Sequence, residues 1–159
     1  MENGTTDRSA TDAQSLDLIS SQCLAQRVLL LSRTISAIYN EALRPLGMTA
    51  AQLTLLVLIA KKGPVSPGAV AGLLNMEKST LSRNVTLMSK HGWISVTRET
   101  GRPGRSHSLT IEPAGRALIE QALPLWQHAQ DRTTALVGED GARSIFAAAE
   151  PVLANVTSA

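Results

Sequence analysis

The chain contains a single cysteine, Cys23, which excludes an internal disulfide. Its N-terminal residues lack the basic-then-apolar order of a secretory signal. The longest apolar runs, 28–31 and 55–60, fall far short of the roughly 20 residues that a membrane-spanning helix needs. These absences lead to the expectation of a cytoplasmic protein with no membrane role.

The signatures of catalysis are missing too. There is no G-x-S-x-G elbow, no phosphate-binding glycine fingerprint and no HExxH. His91, His107 and His128 lie far apart, and one cysteine cannot supply the spacing of a structural zinc site. The histidines read as surface or packing residues, and neither enzymatic activity nor a metal or cofactor is expected. The stretch GRPG at 101–104 matches the GXXG loop of KH domains, but that loop joins two helices and this one joins two strands.

What is present is an ordinary amount of apolar material, unevenly charged. With 159 residues, 43% of them hydrophobic and 18% charged, the chain can build one globular core. Residues 1–20 carry a net −3 and residues 113–159 a net −2, whereas residues 21–112 hold eleven Lys or Arg against four Glu, a net +7. A solvated basic surface would carry the same excess, so the asymmetry indicates a polyanionic partner only together with a site built to meet one.

Along the chain, residues 1–20 are polar, acidic and rich in Ser and Thr, which predicts a disordered arm. From Leu24 onward, Leu24, Val28, Leu31, Ile35, Ile38 and Ala42 recur at spacings of four and three, the stripe of a helix packed lengthwise on another. Arg44-Pro45 ends it, because the residue before a proline is pushed out of helical geometry. Thr49 and Gln52 have the spacing of a capping box, and the all-round apolar run behind them predicts a buried helix over about 50–61.

Gly63-Pro64 breaks the chain again. Ser66 as N-cap and Pro67 at the first helical position begin a short helix that ends near Asn75. A second helix starts around Glu77 or Lys78 and stops where Gly92 can turn left-handed. Two short helices joined by a tight turn form a helix-turn-helix. The period then switches to two: Ile94 and Val96 alternate with Ser95 and Thr97, and His107, Leu109 and Ile111 alternate with Ser108 and Thr110. These are the strands of one hairpin, with a Gly- and Pro-rich tip between them. Helical spacing returns over about 113–136, where Pro124 predicts a kink, and again over about 141–156.

The class is therefore mainly α with a small β-hairpin wing. At this point the residues carry a resemblance. STLSRNVTLMSKHGWI (79–94), the Gly- and Arg-rich wing behind it, IEPAGRAL (111–118) and ALRPLGMTAAQLTLLVLIA (42–60) together resemble the MarR family of bacterial transcription regulators.

The resemblance implies a winged helix-turn-helix with interlocking N- and C-terminal dimerisation helices. It implies a homodimer that presents a recognition helix to the major groove of double-stranded DNA and a wing to the adjacent minor groove. Family members mostly repress nearby genes and are released by small ligands or by thiol oxidation. A small-molecule effector is accordingly expected in a cleft between the dimer helices and the DNA-binding lobe. On this basis residues 1–20 are the arm, 21–47 a dimerisation helix, 48–112 the DNA-binding domain and 113–159 the remaining dimerisation helices.

The residues themselves supply a mechanism. Leu81, Val85 and Met88 share one face of the second short helix, which leaves its N-terminal end and other faces free to meet DNA. Ser79, Thr80 and Ser82 can donate to phosphates or bases, Lys78 can neutralise a phosphate, and Arg83 can reach a guanine bidentately. In the wing, Arg98, Arg102 and Arg105 suit the narrow minor groove of A·T-rich DNA. Where many family members carry an Asp two residues before the wing arginine, alignment on IEPAG puts Pro103, with Arg105 in the arginine's place. Glu77 is a further departure: it caps poorly, although its charge favours the positive end of the helix dipole.

Two alternatives stay open. One is a winged-helix module that pairs with a protein and does not bind DNA. The other is a redox-sensing regulator using Cys23, which lies roughly where the peroxide-sensing branch of the family keeps its reactive cysteine. The alternative for Cys23 itself is an inert small residue.

Overall fold

The structure, a computed structural model, describes residues 5–98 and 107–157, with side chains described over 13–97 and 107–153. The chain divides into two compact units, residues 1–37 and 38–159.

The first unit holds helix α1 (Thr5–Gln22) and most of helix α2 (Leu24–Leu43). The expectation of a disordered arm over 1–20 is corrected here, since α1 is helical from Thr5. Its polar residues bond to its own backbone: the Ser20 and Ser21 hydroxyls donate to the Asp17 carbonyl at 3.1 and 2.6 Å. The helix end is also capped from outside, because the Arg27 guanidinium donates to the carbonyls of Ser20 and Ser21 at 3.2 and 2.7 Å. Cys23 is the one non-helical residue between α1 and α2 and is half-buried. Many apolar residues of this unit are open to solvent, with Leu16 69%, Ile19 63% and Leu24 75% exposed, while Leu31 and Ile35 are half-buried.

In the second unit, α2 runs into a 3-10 turn (Arg44–Leu46) closed by Gly47 at φ 64°. Helix α3 (Ala50–Lys62) begins with the capping box that the sequence predicts: Thr49 Oγ1 accepts from Gln52 N and Gln52 Oε1 accepts from Thr49 N. Leu53, Leu55, Leu56 and Ile59 of α3 are buried and form the centre of the core.

Helix α4 (Pro67–Leu73) starts on the Ser66 cap, whose hydroxyl accepts from Ala69 N at 3.2 Å. The turn after it passes through Asn75 at φ 45°, a left-handed conformation that asparagine adopts more readily than most residues. Helix α5 (Lys78–Lys90) follows, and Glu77 at its N-cap makes no side-chain capping bond. Gly92, φ 69°, ends α5 in a Schellman arrangement: Trp93 N donates to the Met88 carbonyl and Gly92 N to the Ser89 carbonyl, both at 3.0 Å.

Strands β1 (Ile94–Arg98) and β2 (His107–Ile111) pair antiparallel with Ile94 opposite Ile111, Val96 opposite Leu109 and Arg98 opposite His107. Val65 adds a one-residue bridge to the far side of β2, exchanging both backbone hydrogen bonds with Leu109 at 3.1 and 2.8 Å. Helix α6 (Pro113–Thr157) completes the unit. Its single non-helical residue is Gly138 at φ 76° and ψ 160°, while Pro124 and Pro151 lie within helical stretches. The interruption in α6 is thus at the glycine and not at Pro124. The carbonyl that Pro124 cannot bond belongs to Glu120, an exposed residue, so water can satisfy it. Among the described residues no single helix is long and apolar enough to cross a membrane.

Candidate nucleic-acid interface

Helix α5 has two chemically distinct sides because its apolar residues recur at i, i+4 and i+7. Leu81 and Met88 are 3% and 0% exposed and Val85 is half-buried, all packed into the core with Ile94 and Leu109 of the hairpin. Burying this stripe holds the helix at its packed side and leaves the rest of its circumference outward.

Lys78, Ser79, Ser82 and Arg83 are exposed, and Thr80 is half-buried. The first turn therefore offers Lys78 and Ser79 beside unpaired backbone N–H groups, at the helix end where partial positive charge collects. Arg83 Nη2 donates to Thr80 Oγ1 at 3.1 Å, and Asn84 Nδ2 donates to the Thr80 carbonyl at 2.9 Å. Ser82 differs from Ser79 in that its carbonyl accepts the Thr86 hydroxyl at 2.9 Å. The structure thus brings all five predicted α5 residues onto one short segment.

The wing residues divide differently. Arg98 closes β1, with His107 as its register partner. Arg102 and Arg105 lie outside the described residues. His107, by sequence a surface or packing residue, lines a cleft of about 430 Å³ with Lys78, Ser82 and Val96. Its place at the foot of the wing was available from strand alternation and register, but its neighbourhood with α5 depends on tertiary packing.

A second concavity lies on another face of the same unit. A cavity of about 560 Å³ is walled by Val57 and Lys61 of α3, Tyr39 of α2, and Ile119, Leu123 and Trp126 of α6. Among the described residues Lys61 is the one charged residue in that wall. The Tyr39 hydroxyl donates to Gln130 Oε1, and burial raises the phenol above its ordinary pKa while the Thr133 hydroxyl works against that shift. Nearby, Arg132 Nη2 donates to Glu41 Oε2 at 2.8 Å and holds that carboxyl below its usual range. Sequence reasoning misses this cavity, because its walls come from three helices distant in the chain.

Cys23 stands apart from both features in the sequence, at the α1–α2 break. Among the described residues no cluster of three or more His, Cys, Asp or Glu could hold a metal ion.

Comparison with known proteins agrees with this geometry. Residues 46–106 match the sequence model of the MarR family. An uncharacterised HTH-type transcriptional regulator of Bacillus subtilis, YwoH, is 29% identical over 90 residues; the match covers 57% of this chain and 64% of that protein, less than two thirds of its length.

Among solved structures, a mutant MarR from E. coli complexed with operator DNA superposes with a TM-score of 0.73 at 21% identity, covering 86% of this chain and 97% of its own. Bordetella bronchiseptica BpsR, whose DNA binding is regulated by 6-hydroxynicotinic acid, superposes with a TM-score of 0.71 at 18% identity, covering 83% and 95%. At these identities the structures establish a shared fold. The helix-turn-helix and the hairpin behind it coincide with the matched segment, so the chain has the fold of these proteins and is similar to the MarR family over residues 46–106.

Proposed function

We propose that this chain is a sequence-specific, double-stranded DNA-binding transcriptional regulator, a repressor that works as a homodimer and is released by a small-molecule effector. The observation that carries the reading is the division of α5: Leu81 and Met88 are anchored in the core while Lys78, Ser79, Ser82 and Arg83 stand outward. A helix held by one face and bearing donors at its N-terminal end is suited to entering the major groove. The E. coli MarR structure on operator DNA supports the same use of the fold.

In this reading Arg83 reads a guanine, Lys78 and the serines engage phosphates, and Arg98, Arg102 and Arg105 track the minor groove. The net +7 of residues 21–112 adds the sequence-independent attraction to phosphate. Homodimerisation is supported by apolar side chains left open at both ends of the chain, among them Leu24 and Val28 in α2 and Phe146 and Leu153 in α6. The cavity beside Lys61 is the effector site of choice: it is of drug-like size, mostly apolar, and has one cation to orient an acid. The protein acts by binding in the cytoplasm, in contact with the nucleoid, and not as an enzyme.

The test is a mobility-shift selection against random duplex pools. The dimer is expected to enrich a pseudo-palindrome with half-sites about 10 bp apart or a multiple of that, and to lose affinity steeply as salt rises. Binding that ignores salt, or no binding to any duplex, overturns the proposal in favour of a protein-pairing module.

A further inference from the structure

On the outward side of α5, the Arg83 guanidinium does not extend alone. It donates from Nη2 to the Thr80 hydroxyl oxygen, 3.1 Å away and three residues earlier. Thr80 is half-buried, and its carbonyl in turn accepts the Asn84 amide at 2.9 Å. The Asn84 amide thus goes to the Thr80 backbone and leaves the hydroxyl oxygen to Arg83. A β-branched threonine in a helix is restricted to two main χ1 rotamers, so its oxygen has only two principal places on the helix surface.

Arginine gains from such a partner. Its long stem would otherwise sample many rotamers, all but one of which are lost when the fork meets a base edge. A bond to Thr80 uses one of the five N–H donors and leaves the others for a two-point contact with guanine O6 and N7.

We infer that Thr80 is the positioning residue for Arg83, holding the guanidinium in its base-reading pose without itself reading a base. Sequence alone makes Thr80 one more hydroxyl among several on this helix; the geometry gives it a different role. The inference rests on the DNA-binding reading above, and its test is arranged to fail separately from it.

The experiment uses the full chain and an operator selected from random duplexes. The same operator is prepared with 7-deazaguanine, which lacks the N7 acceptor, at the guanine protected by Arg83. Thr80→Val keeps the branch and bulk but removes the acceptor, Thr80→Ala removes both, and Thr80→Ser restores the hydroxyl. Both acceptor-less variants are expected to lose about tenfold in preference for guanine over 7-deazaguanine, the scale of one charge-assisted hydrogen bond. Thr80→Ser is expected to recover most of it. In an Arg83→Ala background Thr80→Val should change the discrimination no further.

Equal discrimination by Thr80→Val and wild type, with Arg83→Ala alone impaired, overturns the positioning role while leaving DNA binding intact. A Thr80→Val loss that persists without Arg83 also overturns it, since Thr80 would then touch DNA directly. Absence of duplex binding by the wild type removes the underlying reading and the inference with it.

Discussion

Gly115 lies directly against the Trp93 carbonyl: a Cβ built on it would stand 2.2 Å from that oxygen and 2.7 Å from Ile111 Cδ1. The carbonyl cannot withdraw cheaply, because it already accepts the Glu112 N–H at 3.0 Å. This contact joins the first turn of α6 to the foot of the hairpin and explains why the IEPAG segment carries a glycine there. Gly115→Ala should therefore destabilise the fold by about 1–3 kcal/mol through overpacking. Urea unfolding checks it, and a midpoint equal to wild type would show that the junction is looser than described.

The Thr49–Gln52 box offers a cleaner energetic test. Thr49→Ala should cost about 1 kcal/mol, the usual value of an N-cap side chain. Because the two residues satisfy each other reciprocally, Thr49→Ala and Gln52→Ala together should cost less than the sum of the single changes. Additive losses in chemical denaturation would mean that the two bonds act independently.

For recognition, Arg83→Ala should lower discrimination at one base position by about 1–3 kcal/mol. Arg105→Ala should weaken binding in proportion to the A·T content of the flanking minor groove. Footprinting and affinity measurements on operator variants distinguish these effects. Identical footprints for wild type and both variants would contradict the assigned grooves.

The Glu41–Arg132 pair has a defined pH signature. The Arg132 guanidinium lowers the Glu41 pKa, so any stabilisation from the pair is complete above the ordinary carboxylate range and fades as pH falls through the lowered value. NMR titration should place the Glu41 midpoint below that of a free glutamate and return it toward that value in Arg132→Gln. Stability near neutral pH should barely change, because the two side chains are 40% and 57% exposed and screened by water.

The features legible in the sequence were those fixed within a few residues. The capping box at Thr49, the Ser66-Pro67 helix start and the Gly92 cap depend on local hydrogen bonds and backbone freedom, and the alternation in 94–98 and 107–111 records which side of the hairpin is buried. Lys78, Ser79, Ser82 and Arg83 could be placed outward because Leu81, Val85 and Met88 define the inward stripe.

What escaped depended on contacts distant in the chain or on competition between local signals. The helix over Thr5–Gln22 was hidden by a polar composition whose serines bond to their own backbone. Proline appeared to be the breaker in α6, yet Gly138 takes that role, since a proline in a helix sacrifices only one bond when its orphaned carbonyl faces water. The Gly115 contact with Trp93 and the walls of the cavity beside Lys61 have no periodic signature at all.

The reciprocal bridge between Val65 and Leu109 bears on how the hairpin can move. It laces the segment entering α4 to the returning strand, so the ribbon is pinned at its root on the side away from β1. The entry to α4 and the returning strand are thereby tied together through two backbone amides.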